Sequence, residues 1–257
     1  MTTAPPPQEN AGLTSLVETI VAPASAFDRL AEKQTWGWAF IASSLLMAVG
    51  ALAGGPVTRH VTQLIMERQA AAAATPQQAA AIANAATFTA KFSTFGWVFA
   101  PLSVLWLVLI ATVILLIGNA LFGGKASFKQ LWCASMNVSV VLSLGALLAS
   151  IVIAIRGTGA ITGIFDFLHS SISLAAIAPT DNLKILTTLS MITPFSLWAL
   201  WLNALIMQRI ARMEPPRAWT AAIAALLLPA LVYGAFAHVP GKSATGTAPT
   251  TSASASP

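Results

Sequence analysis

Five long apolar stretches, at residues 36–54, 95–122, 131–155, 185–207 and 219–237, alternate with more polar connections along the 257-residue chain. Each is long enough to cross a bilayer, because a hydrocarbon core about 30 Å thick takes about 20 helical residues at about 1.5 Å each. The runs are continuous: residues 104–117 read VLWLVLIATVILLI, without the alternation that barrel strands of about 10 residues require. Backbone polar groups in lipid must be satisfied within their own segment, so such runs predict helices. The expected fold class is all-α, a polytopic helical membrane protein with five transmembrane helices. Three parts follow: an N-terminal segment at 1–35, a five-span membrane domain at 36–238 and a C-terminal tail at 239–257.

Residues 1–11, with Pro5, Pro6 and Pro7, read as a disordered tail. Leu13, Leu16, Val17, Ile20 and Val21 recur at helical spacing and predict a short amphipathic helix on the membrane surface. Pro23 should end it, and Ser25 is expected to cap a second short helix carrying Asp28 in its first turn. Trp36 and Trp38 stand where the first span meets the interface, as belt tryptophans do. The first 35 residues hold no apolar signal-peptide core, so the first span is expected to direct insertion.

The connection 56–94 is polar or small; helices over 57–74 and 76–91 predict a hairpin outside the bilayer, its alanine-rich arm strongly helix-favouring. A short connection at 123–130 carries Lys125 and Lys129. The longer one at 156–184 has an apolar patch at 164–168, which predicts a re-entrant or interfacial segment over 159–178. The fourth is tight and carries Arg209, Arg212, Glu214 and Arg217. The Ser/Thr/Ala/Gly/Pro-rich tail is predicted disordered.

Composition sharpens this picture. Hydrophobic residues make up 56% of the chain and charged residues only 8%, where soluble domains carry about 25% charge. That excludes a soluble enzyme. The net charge of +5 forms no polybasic cluster, so nucleic acid is not an expected partner and the charges read as a topology signal. With the N-terminus inside, Arg29, Lys33, Lys125, Lys129, Arg209, Arg212 and Arg217 face the cytoplasm, seven cations against six. The two short loops, where the positive-inside rule applies best, both fall inside. The expected orientation has the N-terminus on the cytoplasmic side and the C-terminus on the opposite side.

Candidate chemistry is sparse. Ser135, Ser139 and Ser143 fall at i, i+4 and i+8 in the third span and make one polar stripe, with Asn137 to the side. Such residues either bond across helices or line a path. Asn203, the one strongly polar residue deep in the fourth span, could bond to that stripe or face a cavity. Pro194 should kink the fourth span, since it removes one backbone bond. Gly50 and Gly54 form a G-x-x-x-G pair, and Gly145 with Ala149 a looser one; both fit close intrachain packing better than dimerisation. Cys133 is the single cysteine, which rules out an intrachain disulfide and a multi-cysteine metal site. His60, His169 and His238 are scattered, so no metal site is expected. Asp166 and His169 share a face at i, i+3, but no nucleophile accompanies them, and no glycine-rich phosphate loop is present. The chain is expected to be no enzyme and to need no cofactor. No ionisable residue sits centrally in a span, which counts against ion-coupled transport.

The order of parts resembles the YIP family, the Ypt/Rab-interacting five-span membrane proteins, in its bacterial branch. The resemblance is carried by Pro23-Ala24-Ser25-Ala26-Phe27 before a tryptophan-led span, by Gly123-Gly124-Lys125-Ala126-Ser127-Phe128-Lys129-Gln130-Leu131 leading into the third span, and by Pro194-Phe195-Ser196-Leu197-Trp198 in the fourth. The Asp-Leu-Tyr-Gly-Pro motif of eukaryotic members is absent. The resemblance implies a non-enzymatic protein of a bacterial inner membrane, with the C-terminus periplasmic, that scaffolds partners, other membrane proteins or itself, or influences membrane organisation. The surface expected to do so is Phe27, Asp28, Arg29, Lys125 and Lys129. The alternative reading is a permease-like carrier of a small molecule or lipid, with the serine stripe and Asn203 around its cavity.

Overall fold

A computed structural model describes residues 10–237, side chains at 90–93 excepted. The tail readings at 1–9 and 239–257, and His238, lie outside the described residues. Ten α-helices and three short 3-10 turns make up the described chain, with no strand among them.

Two short helices come first, α1 (Ala11–Val21) and α2 (Pro23–Glu32). Asn10 caps α1 through its side chain. Pro23 occupies the first turn of α2 and Ala22 its cap position, where a ring without an N–H costs nothing. Ser25 therefore lies inside α2 and does not cap it, because the proline already sets the starting φ.

The first span is one helix, α3 (Gly37–Ala71), which runs through Pro56. The sequence reading ended it at Gly54 and began a separate helix at residue 57. Gly55 explains the difference: a proline disfavours helix at the preceding residue through a clash involving that residue's Cβ, and glycine has none. At about 1.5 Å per residue α3 is about 52 Å long, so about 20 Å projects beyond a hydrocarbon core of about 30 Å. The projecting arm turns into α4 (Pro76–Ser93), which packs back along it and completes the hairpin.

Next come α5 (Ala100–Leu121), led by the 3-10 turn Gly96–Phe99, and α6 (Phe128–Arg156). A reciprocal Ser127–Gln130 capping box starts α6. Between them Asn119 clamps the turn, donating to the Ala126 carbonyl (3.1 Å) and accepting from its N–H (3.2 Å). Beyond Gly157, residues 158–178 form only short pieces: the 3-10 turns Thr158–Ala160 and Leu174–Ile177, and α7 (Ile164–His169) between them. Leu168 and Ala175 of this segment pack with Leu183 and Leu186.

The fourth span is broken: α8 (Leu183–Ser190) and α9 (Pro194–Arg209) meet at 59°. Pro194 does not kink a continuous helix. It opens α9 behind a Thr193–Ser196 capping box, so the freed backbone groups are taken up by the cap. The pair still runs the length of α10 (Pro215–Phe236). Thr188 of α8 lies against Gly234 near the end of α10, while Ile206 and Met207 of α9 cluster with Ala218 and Ala221 near its start. Among the described residues four helices are long and apolar enough to cross a membrane, and a fifth is reached where the bent pair is counted as one broken span. Large apolar side chains point outward along the bundle, among them Leu102, Trp106 and Ile117 of α5. Lipid is the solvent that suits such a surface.

Candidate functional site

Two places gather the sequence-selected residues. The first is a cleft at the end of the bundle where α9 stops and α6 begins. Apolar packing fixes its frame. Phe27 and Leu30 of α2 are fully buried in one cluster with Leu131 of α6 and Leu202 and Ile206 of α9. Phe27 is thus an anchor and not a docking residue, which corrects the sequence reading; its ring faces protein because Ala26, Phe27 and Leu30 form the inward stripe of α2. Gln130 donates to the Ala31 carbonyl at 3.1 Å and holds α2 to α6. The Lys125 N–H donates to the Ala211 carbonyl at 2.9 Å, which joins the α5–α6 turn to the α9–α10 turn.

On this frame stand Asp28, Glu32, Lys125, Arg209 and Arg212, around a cleft of about 490 Å³ floored partly by buried Ile210. Arg209 approaches Asp28 at 3.5 Å, with both side chains about half exposed, so the pair is worth at most about 1 kcal/mol. Arg212 sits at φ 55°, a left-handed conformation uncommon for a residue with a Cβ. Arg29 turns away to Glu18 at 2.8 Å and ties α2 to α1. Lys129 is exposed and lies outside the cleft lining. Sequence reasoning missed Glu32, Gln130 and the Arg212 turn. No periodic pattern marks them, because they meet only through the two loops.

The second place is inside the bundle. Ser139 bonds to Ser43 of α3 at 2.8 Å and donates to the Met136 carbonyl at 2.7 Å. Ser135 is buried and its hydroxyl has no partner. Ser143 and Asn203 make no hydrogen bond among the described residues. All four border one cavity of about 160 Å³ between α3, α5, α6 and α9. Asn203 therefore faces the serine stripe across a gap without bonding to it. Asn137 is turned elsewhere, donating to the carbonyls of Cys133 (2.8 Å) and Thr35 (3.2 Å).

The glycine pairs work within the chain. A Cβ on Gly54 would stand 3.2 Å from the Ser150 Cβ, and one on Gly50 3.3 Å from the Leu147 Cα; both face α6. Gly145 faces Phe195 of α9 in the same way.

At the opposite end Asp166 accepts from the Thr162 hydroxyl and, at 3.0 Å, from its N–H. These two donors, with His169 and Arg68 nearby, hold its carboxyl below the usual carboxylate range. Arg68 in turn donates to the Thr162 carbonyl at 2.9 Å, so Asp166 serves a structural clamp between α3 and α7. Among the described residues no three His, Cys, Asp or Glu come together as a metal site.

The bundle and its polar interior define a polytopic helical membrane protein. The Yip1 domain model matches residues 17–237, and the chain belongs to the Yip1 family. It is 26% identical over 210 residues to the membrane protein YknW of Bacillus subtilis, covering 81% of this chain and 84% of the relative. No solved structure matches it significantly.

Proposed function

We propose that this chain is a non-enzymatic organiser of a bacterial inner membrane, with its N-terminus in the cytoplasm and its C-terminus in the periplasm. The observation that carries the reading is the orientation of α1. Ser15 and Thr19 are fully buried, while Leu13, Val17, Ile20 and Val21 point outward. Both buried hydroxyls are spent on carbonyls one turn back, Ser15 on Ala11 (2.8 Å) and Thr19 on Ser15 (2.7 Å). The apolar side lies by exposed Trp38, which approaches Gly12. A helix at the membrane surface with its apolar face turned from the protein is solvated best by the acyl-headgroup boundary of one leaflet. It then acts as a wedge held on a rigid five-span mount. The orientation is supported by the cation-rich short loops, whose Lys125, Arg209 and Arg212 share one end with α2. The charged cleft of Asp28, Glu32, Lys125, Arg209 and Arg212 beside the wedge is the surface for a membrane-protein partner or a second copy.

The test is reconstitution of the full chain into phosphatidylethanolamine/phosphatidylglycerol vesicles. Wild type is expected to narrow the vesicle diameter distribution towards smaller values, and Val17→Asp with Ile20→Asp to abolish this while the bundle still inserts. Equal diameters for the two proteins would sink the reading.

A further inference from the structure

We propose that the cavity between α3, α5, α6 and α9 is a binding site for an uncharged lipid whose apolar chain carries a hydroxyl or carbonyl oxygen. Three polar groups on its wall are left unspent. Hydroxyls on helices ordinarily bond back to the carbonyl one turn earlier, as Ser15, Thr19, Thr58 and Ser103 do here. Ser135 does not: it is 4% exposed and its oxygen is orphaned. Ser143 and Asn203 are unpaired beside the same space.

In a hydrocarbon setting such groups are retained at a cost unless something supplies their partner. One water cannot serve the whole wall. A buried water needs two to four polar partners, and Ser135 and Ser143 are about 12 Å apart along α6 at about 1.5 Å per residue. Ser139 between them is already committed to Ser43 and Met136. The remaining wall is apolar, including Val104, Val108 and Leu142.

The shape of the space narrows the occupant. Its 160 Å³ is close to the roughly 150 Å³ of a buried apolar cavity that takes up benzene, so it admits a short chain segment or one ring. No Asp, Glu, Lys or Arg lines it, which disfavours any ionised head. Leu107 and Leu142 border the cavity and are also 46% and 42% exposed on the outer surface. The opening therefore faces the bilayer, and the occupant arrives from lipid with its tail remaining there.

The experiment is photolabelling of the detergent-solubilised full chain with a diazirine-bearing C8 alcohol and with the matching C8 alkane, mapped by mass spectrometry. The alcohol is expected to label α5 and α6 at the cavity roughly tenfold more than the alkane, about the factor one hydrogen bond supplies. Ser135→Ala with Asn203→Leu should bring the alcohol down to the alkane level. Ala146→Leu, which fills the space without touching a polar group, should suppress both probes and serves alone if the double variant fails to fold. Equal labelling by the two probes would leave a nonspecific apolar void. Labelling confined to the outer surface, or unchanged by Ala146→Leu, would overturn the site altogether.

Discussion

Gly145→Ala tests how closely α6 and α9 must approach. A Cβ at this position would lie 2.6 Å from the Phe195 Cβ, 2.6 Å from its Cγ and 2.8 Å from its Cδ2. These are the inner atoms of the ring system, next to the backbone of the first turn of α9. The ring cannot swing clear by rotating its far end, so α9 itself must shift. Overpacking costs about 1–3 kcal/mol, and a clash on atoms next to the backbone falls in the upper part of that range, about 2–3 kcal/mol, against the roughly 1 kcal/mol that alanine gains over glycine as a helix former. A net loss of about 1–2 kcal/mol follows, and at about 2–4 °C per kcal/mol for a chain of this size the melting temperature should fall by about 2–8 °C. Thermal unfolding of the detergent-solubilised protein, followed by tryptophan fluorescence, reads this directly. Phe195→Ala alone should also destabilise, but the double variant should be better than the sum of the two by about 1 kcal/mol or more, because the second change removes the clash. A melting temperature unmoved by Gly145→Ala, or strict additivity in the cycle, would show that Gly145 is not the seat of the Phe195 ring.

Three further outcomes are expected. Phe27→Ala should remove about 3 kcal/mol or more of anchoring, roughly a hundredfold in the opening equilibrium, and expose Arg29 and Lys33 to trypsin; an unchanged cleavage rate would return Phe27 to the surface. Gly54→Leu should lower thermal stability without altering the oligomeric state in cross-linking, since its Cβ meets Ser150 of α6; loss of an oligomer at constant stability would contradict this. Because Asp166 is held below its unfolded pKa, its contribution is present above that unfolded value, near 3.9, and fades as pH falls through the lower folded value. The protection of the Thr162 amide, taken relative to its intrinsic exchange rate at each pH, should fall over that acidic window in wild type, and Asp166→Asn should abolish that change in protection.

What the sequence made legible, and what it hid, divides along one physical line. Continuous apolar runs specify helices in lipid because the one other arrangement, a closed barrel, needs strands that alternate, so the helical membrane class could be read directly. The glycine pairs could be read as packing surfaces for a similar reason, since a missing Cβ leaves only one use for the space. Periodicity, however, says that a helix has two faces and not what each face meets. The apolar stripes of α1 and α2 look alike in the sequence, yet the α2 stripe with Phe27 and Leu30 is buried in protein while the α1 stripe with Val17 and Ile20 faces outward. Only the docking of Gln130 on Ala31 and of Arg29 on Glu18 separates them. The two prolines show the same limit. Pro56 is absorbed by a helix because Gly55 precedes it, and Pro194 breaks one because Thr193 offers a cap.

That division explains why the two candidate sites were only half visible. A polar stripe on α6 is a property of one helix and can be counted along the chain. Whether Ser135 finds a partner depends on α3, α5 and α9 together, and Ser139 alone received one, from Ser43. The break between α8 and α9 is what sets Asn203 opposite the stripe: α9 starts afresh at Pro194 with Phe195 seated over Gly145, and Asn203 follows two turns later on a fixed axis. A straight fourth span would carry Asn203 along a different line. The capping box at Thr193, the glycine at 145 and the unspent polar groups of the cavity are therefore one construction. A variant that straightens the break should close the cavity without changing any residue that lines it.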